Sequence, residues 1–324
     1  MKSLIICMGK GVFVMTKLLI GTKNISREDW LNFRNKGIGG SDVAALCGIN
    51  KYKSSVELWM EKTGQIKPKE SGEAAYWGTK MEPIIREEFT TRTNLKVNIV
   101  NSILKHEKYD FMLANIDGIV YDTKFGNCIF EAKTASAFKQ SQWEKSIPEE
   151  YMLQIQHYMA ITNFKAAYIA VLIGGNQFIY KFIRRDEELI DMIIKIENDF
   201  WNHVCANTPP KIDGSEASTE LLNRLYPSCM ENSKVILPDE ALNILSQYNL
   251  YKEKEKEVSE IKNEAANKLK SMIGDNETAV VKNWIITWKT VYSEKLDSKK
   301  LKKEEPELYK KYAVKSSFRR LNIK

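Results

Sequence analysis

Apolar residues recur along this chain in two periods, and the changes between them predict alternating helices and strands. From Ser26, an N-cap residue, Trp30 and Phe33 share one helical face, and the glycine-rich residues 37–42 end that helix before another over 43–47. A short helix is predicted over 56–62, stopped by Gly64. A further helix carries Ile85 and Phe89 at i,i+4 with Glu82 at the edge of the same face. Pro83 fits best in a first helical turn, so this helix is expected to become regular only near Glu82. Residues 97–104 and 111–114 read as strands leading into a hairpin over 115–133 with its turn at 122–127. Residues 142–148 are expected to form a loop. Residues 149–162 form an amphipathic helix with Tyr151, Gln154 and Tyr158 on one side and Gln156 on another. The unbroken apolar run 166–173 predicts a strand covered on both faces. A turn at Gly174, a strand over 177–183 and a helix over 186–204 follow, before a boundary at Thr208-Pro-Pro.

Beyond that boundary the pattern changes. Residues 238–272 predict a long charged helix whose Leu242, Leu245, Tyr248 and Tyr251 would self-associate or lie on a neighbour. Residues 280–289 predict a hairpin turning at Lys282-Asn283. Residues 289–324 interleave lysines and Arg319-Arg320 with Tyr309, Tyr312 and Phe318, a mixture suited to nucleic-acid backbones and bases. The domain reading is a leader or disordered arm at 1–14, a core over 15–212 and an extension over 213–324.

The chain's 324 residues leave ample length for a buried core, and a net charge of +7 is compatible with a nucleic-acid partner without requiring one. The five cysteines form no Cys-x-x-Cys pair, so neither a disulfide framework nor a zinc site is indicated. His106, His157 and His203 are too far apart for metal-ligand spacing. Lys10 and Lys17 break the apolar N-terminal stretch into pieces too short for an export signal or a membrane span, and Met15 offers a second start. A cytoplasmic protein is expected.

The hairpin carries the chemistry. Side chains alternate along a strand, so Glu131 and Lys133 share one face while Phe130 and Ala132 take the other. If the turn sets Asp117 opposite Glu131, two carboxylates and one ammonium meet. Two acids so close are tolerable mainly with a divalent cation between them, and oxygen ligands favour Mg²⁺ with Mn²⁺ as a substitute. Phosphodiester hydrolysis is the implied reaction. A solvated edge strand with a surface ion pair is the plain alternative.

Six separated motifs, Trp30-x-x-x-Arg34, Ile38-Gly-Gly-Ser41, Trp77-Gly-x-x-x-Glu82-Pro, Asp117-Gly, Glu131-Ala-Lys133 and Tyr151-x-x-Gln154-x-Gln156-x-Tyr158, together resemble the YqaJ-type viral recombinase family of the PD-(D/E)XK nuclease superfamily. Leu296-Asp-x-Lys-x-Leu, Pro306-Glu-Leu-Tyr and Phe318-Arg-Arg are similar to the extension of its longer members. The resemblance implies an α/β restriction-endonuclease-like core, a mixed central sheet flanked by helices, with a C-terminal helical and hairpin extension. It implies a Mg²⁺-dependent 5′-to-3′ exonuclease on linear double-stranded DNA, working in recombination beside a single-strand annealing protein (RecT/Redβ-like) and forming a homo-oligomer, a trimer in phage lambda exonuclease. It assigns Glu82, Asp117, Glu131 and the Ala132 carbonyl to the metal, Lys133 to orienting the attacking water, and Arg34, Ser41 and Gln154 to the 5′-terminal phosphate. Asn115 stands where phage lambda exonuclease has a phosphate-holding serine. An endonuclease with the same acids, and a DNA-binding or assembly protein with an inactive site, remain the alternatives.

Overall fold

A computed structural model describes residues 3–4, 16–22, 25–69 and 72–323 of the chain, which divides into two compact units, Met1–Leu225 and Tyr226–Lys324. Of the expected arm at 1–14, only Ser3 and Leu4 lie within the described residues, and they form a strand.

The first unit opens with strands β1 (Ser3–Leu4) and β2 (Thr16–Gly21) and helix α1 (Arg27–Asn35), capped by Ser26 Oγ, which accepts from Asp29 N–H at 3.0 Å. Strand β3 (Ile38–Gly39) leads into α2 (Gly40–Leu46). This helix begins inside the glycine-rich stretch, three residues before the expected 43–47, because Asp42 caps it by accepting from Gly39 N–H at 3.1 Å. Next come α3 (Ser55–Lys62) and α4 (Glu73–Thr93). Helix α4 runs straight through Pro83, contrary to the expected start at Glu82. Proline withholds only the one hydrogen bond to the Thr79 carbonyl, and burial of Ile85 and Phe89 holds the rest.

The expected strand 97–104 is two short strands, β4 (Val97–Asn98) and β5 (Ser102–Lys105), followed by β6 (Met112–Ala114), β7 (Gly118–Asp122) and β8 (Gly126–Ala135). The tight β7–β8 turn is closed by Asp122 Oδ1, which accepts from Lys124 and Phe125 N–H, and Gly126 takes the positive φ of 71° that an L side chain would resist. Part of the expected loop at 142–148 is helical: a 3-10 turn at Ala137–Lys139 runs into α5 (Gln140–Lys145), which buries Trp143 against Tyr151. Helix α6 (Glu149–Thr162), strands β9 (Ala166–Ile173) and β10 (Gln177–Arg184), helix α7 (Glu187–Cys205) and helix α8 (Glu216–Leu225) complete the unit. Helix α8 buries Ala217 and Leu221, and its Arg224 pairs with the buried Glu57 of α3 at 2.5 Å. The boundary therefore falls after Leu225 and not at residue 212.

The strands make two five-stranded mixed sheets, ordered β1-β2-β5-β6-β3 and β10-β9-β8-β7-β4. Residues 97–104 divide because β4 pairs with β7 in one sheet and β5 with β2 and β6 in the other. The chain passes from one sheet to the other again between β6 and β7, through Asn115, Ile116 and Asp117. Strand β8 is covered on both faces. Cys128 and Phe130 pack beneath Ile85 and Phe89 of α4, with the Phe89 and Phe130 rings 4.9 Å apart, while Ile129 packs in the cluster of Ile155 and Met159 of α6. Each of these fully buried side chains stabilises the fold by about 1.5–3 kcal/mol. Glu131 falls on the α6 side of the strand, where the alternation calls for an apolar residue, and is 2% exposed.

The second unit holds α9 (Ala241–Ile273), the hairpin β11 (Thr278–Val281) and β12 (Trp284–Thr287), turning at Lys282 with φ 49°, and the short helices α10 (Ser298–Glu304) and α11 (Pro306–Tyr312). Among the described residues no helix is long and apolar enough to cross a membrane.

Candidate active site

The crossing between β6 and β7 opens onto one cleft of about 370 Å³ in the first unit. All nine predicted site residues line it: Arg34 from α1, Ser41 from α2, Glu82 from α4, Asn115 and Asp117 from the crossing, Glu131, Ala132 and Lys133 from β8, and Gln154 from α6. The hairpin register pairs Gly118 with Phe130, which brings Asp117 alongside Glu131 and Ala132, and Asp117 Oδ2 accepts from Ala132 N–H at 2.9 Å. Glu131 Oε1 accepts from Lys133 Nζ at 2.6 Å and from Gln154 Nε2 at 2.7 Å. Glu131 Oε2 is buried with no hydrogen-bond partner. Glu82 accepts from Arg86 at 3.0 Å.

The electrostatics follow from crowding acids in a dry place. Burial, reinforced by the Asp117 charge and opposed by Lys133, pushes the Glu131 carboxyl up to about 8. Burial also raises Asp117, and burial with the Asp117 charge raises Glu82. Burial disfavours the Lys133 ammonium, but Glu131 and Asp117 outweigh it and the lysine holds its proton more tightly than usual. Lys133 also sits 5.1 Å from the centre of the Tyr151 ring. Three acids thus share a site that penalises their charge, and one buried carboxylate oxygen lacks a donor. That donor set suits a hard divalent cation. Among the described residues no three His, Cys, Asp or Glu side chains are gathered closely enough to grip a metal as they stand, since Asp117, Glu131 and Glu82 are each turned toward a donor of the protein.

Elsewhere the cleft presents a guanidinium. Arg34 lies 5.1 Å from the centre of the Trp30 ring, and its Nη2 donates to Ser41 Oγ. Gln154 Nε2 also donates to the Tyr158 hydroxyl at 3.0 Å. Helix α2 can lie this close to α6 because Gly40 has no side chain: a Cβ there would stand 2.5 Å from the Tyr158 ring and 2.9 Å from Gln154 Cγ. Gln156, expected to point away, donates to the Arg184 carbonyl and accepts from Asp186 N–H.

Four residues around the cleft escaped the sequence reading: Asp42, Lys62, His157 and Glu197. Asp42 Oδ2 accepts from Lys62 Nζ at 3.0 Å, and its Oδ1 lies 3.9 Å from Arg34 Nη2. Burial would raise Asp42, but Lys62, Arg34 and Lys53 together with the Gly39 N–H hold it well below the usual carboxylate range. His157 is fully buried on α6. Its Nε2 donates to the Leu113 carbonyl of β6 at 2.9 Å and its Nδ1 lies 2.6 Å from Glu197 of α7. An acid at the third residue of α2 was the only sequence signal for any of them. Lys62 reads as an ordinary basic helix end, and His157 and Glu197 are 40 residues apart.

Residues 29–165, which contain every one of these cleft residues, match the model of the YqaJ-like viral recombinase domain. Over 313 residues the chain is 41% identical to the uncharacterized protein YqaJ of Bacillus subtilis (strain 168), covering 95% of this chain and 97% of that one. The chain belongs to the YqaJ-like viral recombinase family. Similarity extends to a solved alkaline exonuclease (LHK-Exo) from Laribacter hongkongensis, at a TM-score of 0.49 and 22% identity over 61% of this chain and 97% of that one. It extends also to a phage-related exonuclease from Haemophilus somnus 129PT, at a TM-score of 0.42 and 14% identity over 55% and 99%.

Proposed function

We propose that the protein is a Mg²⁺-dependent deoxyribonuclease that degrades linear double-stranded DNA from 5′-phosphorylated ends and works in recombination beside a single-strand annealing protein. The observation that carries this reading is Glu131: a carboxylate placed where the strand pattern calls for an apolar residue, pushed up to about 8, and left with one buried oxygen lacking a donor, in the same cleft as Asp117, Glu82 and Lys133. Such a group is costly to the fold and is explained by chemistry that needs it.

Glu82, Asp117, Glu131 and the Ala132 carbonyl would hold Mg²⁺, which supplies Lewis acidity toward a phosphate oxygen and a more acidic water. The remaining work belongs to side chains. Lys133, kept protonated beside Glu131, donates toward the water that attacks phosphorus. Arg34 and Ser41, already bonded to each other, present a guanidinium and a hydroxyl to the terminal phosphate, which fixes the scissile bond at a set distance from the acids. Asn115 can donate an amide hydrogen to the same group. A purely endonucleolytic site has no use for a guanidinium and hydroxyl paired in this way. Incubation of the purified protein with linear and covalently closed duplex DNA, with Mg²⁺ or with EDTA, tests the reading. Loss of linear DNA alone, in Mg²⁺ alone, is expected; cutting of closed circles, or no hydrolysis of either, would overturn it.

A further inference from the structure

Arg34 stands within reach of a carboxylate that ought to capture it. Asp42 is buried, its side chain 9% exposed, and Arg34 Nη2 lies 3.9 Å from its Oδ1, close enough to feel the charge and too far for a hydrogen bond. A half-buried arginine and a buried aspartate at this spacing would ordinarily close into a bidentate pair, because a buried carboxylate left unmatched is expensive. Lys62 prevents it. The Lys62 ammonium, its side chain 3% exposed, reaches Asp42 Oδ2 at 3.0 Å, and Gly39 N–H occupies the same oxygen at 3.1 Å. The same ammonium donates to the Arg34 carbonyl at 3.2 Å, one of the last-turn carbonyls of α1 that the helix itself cannot satisfy. Lys62 therefore fixes the backbone of Arg34 and neutralises the acid that competes for its side chain, while not itself lining the cleft.

We propose that Lys62 is a positioning residue for the end-phosphate pocket, taking up the Asp42 carboxylate so that the Arg34 guanidinium stays open to a terminal phosphate. The inference rests on the end-phosphate reading of Arg34 and Ser41. Its logic is one of charge. Arg34 and Lys62 share one carboxylate, leaving one positive charge unmatched, and that charge lies on the residue that lines the cleft. Without the lysine, Arg34 and Asp42 would cancel each other.

The test is binding, in EDTA, of one duplex prepared with 5′-phosphate or 5′-hydroxyl ends to wild type, Lys62→Met, Asp42→Asn and the double variant. Lys62→Met should reduce the preference for phosphorylated ends about tenfold, the scale of one charge-assisted hydrogen bond. Asp42→Asn should keep the preference, since no carboxylate is left to capture Arg34, and Lys62→Met with Asp42→Asn should restore it. A merely structural ion pair gives the opposite order, with the double variant no better than either single one. If Lys62→Met fails to fold, the other two variants still decide, because loss of preference in both would overturn the inference. A wild type that does not distinguish the two ends would overturn the end-phosphate reading and this inference with it. A discriminating wild type with an equally discriminating Lys62→Met overturns the inference alone.

Discussion

Gln154 Nε2 lies 2.7 Å from Glu131 Oε1, so the residue assigned to the end phosphate is hydrogen-bonded to the central acid of the cleft. The amide's second hydrogen goes to the Tyr158 hydroxyl. Gln154→Ala should then affect both ends of the site: it removes a donor from a buried carboxylate, which favours the protonated acid. We expect the Mg²⁺ concentration for half-maximal hydrolysis to rise and the rate to fall by roughly tenfold. An unchanged Mg²⁺ dependence would show that the two ends are independent.

Gly40 sets the approach of α2 to α6. Gly40→Ala should destabilise the protein by about 1–3 kcal/mol through overpacking and displace the buried Gln154 or Tyr158. Thermal unfolding alongside the hydrolysis rate checks this; a variant with wild-type Tm and rate would mean the helices separate at no cost.

The His157–Glu197 pair gives a pH dependence. Burial disfavours the imidazolium, but the Glu197 carboxylate and the Leu113 carbonyl outweigh it, so His157 is raised above its ordinary 6.5. Glu197 is raised as well, mainly by burial, so the folded pair retains a proton that the unfolded chain releases. A raised folded value contributes stability that is complete below the unfolded value and lost as pH rises through the folded one. In EDTA, Tm should decline as pH is raised above about 6.5, and His157→Gln should flatten that slope. A wild-type Tm that climbs over this range would contradict the assignment.

Deletion of residues 226–324 leaves α8 and its Arg224–Glu57 pair in place, whereas a cut near Thr208 would remove the helix that buries Ala217 and Leu221. The shortened protein should keep its chemistry and bind duplex DNA with a shallower salt dependence, because the lysine-rich tail with exposed Tyr312 and Phe318 is gone. An unchanged salt slope would remove the tail from DNA binding. Aggregation would instead assign Trp284 and its exposed hairpin neighbours to packing.

The parts of the site that obey a local period were legible in the sequence. Alternation along β8 put Glu131 and Lys133 on one face, the short turn brought Asp117 across from them, and the i,i+4 spacing paired Gln154 with Tyr158. What depends on contacts between distant elements was not legible. Nothing in α3 says that Lys62 reaches α2, and nothing near residue 99 says that β4 and β5 enter different sheets. Pro83 misled for a related reason. A local rule against proline in a helix was overridden by tertiary burial of Ile85 and Phe89.

The most direct test of the account is strand-resolved digestion, in Mg²⁺, of a linear duplex phosphorylated at one 5′ end, by wild type and by Glu131→Gln. The amide keeps the size of the side chain and removes the charge that the chemistry requires. Wild type should consume the phosphorylated strand from its 5′ end, and Glu131→Gln should bind the duplex yet hydrolyse it about 10³-fold more slowly or not at all. A variant that digests at the wild-type rate would contradict the assignment of this cleft as a nuclease site.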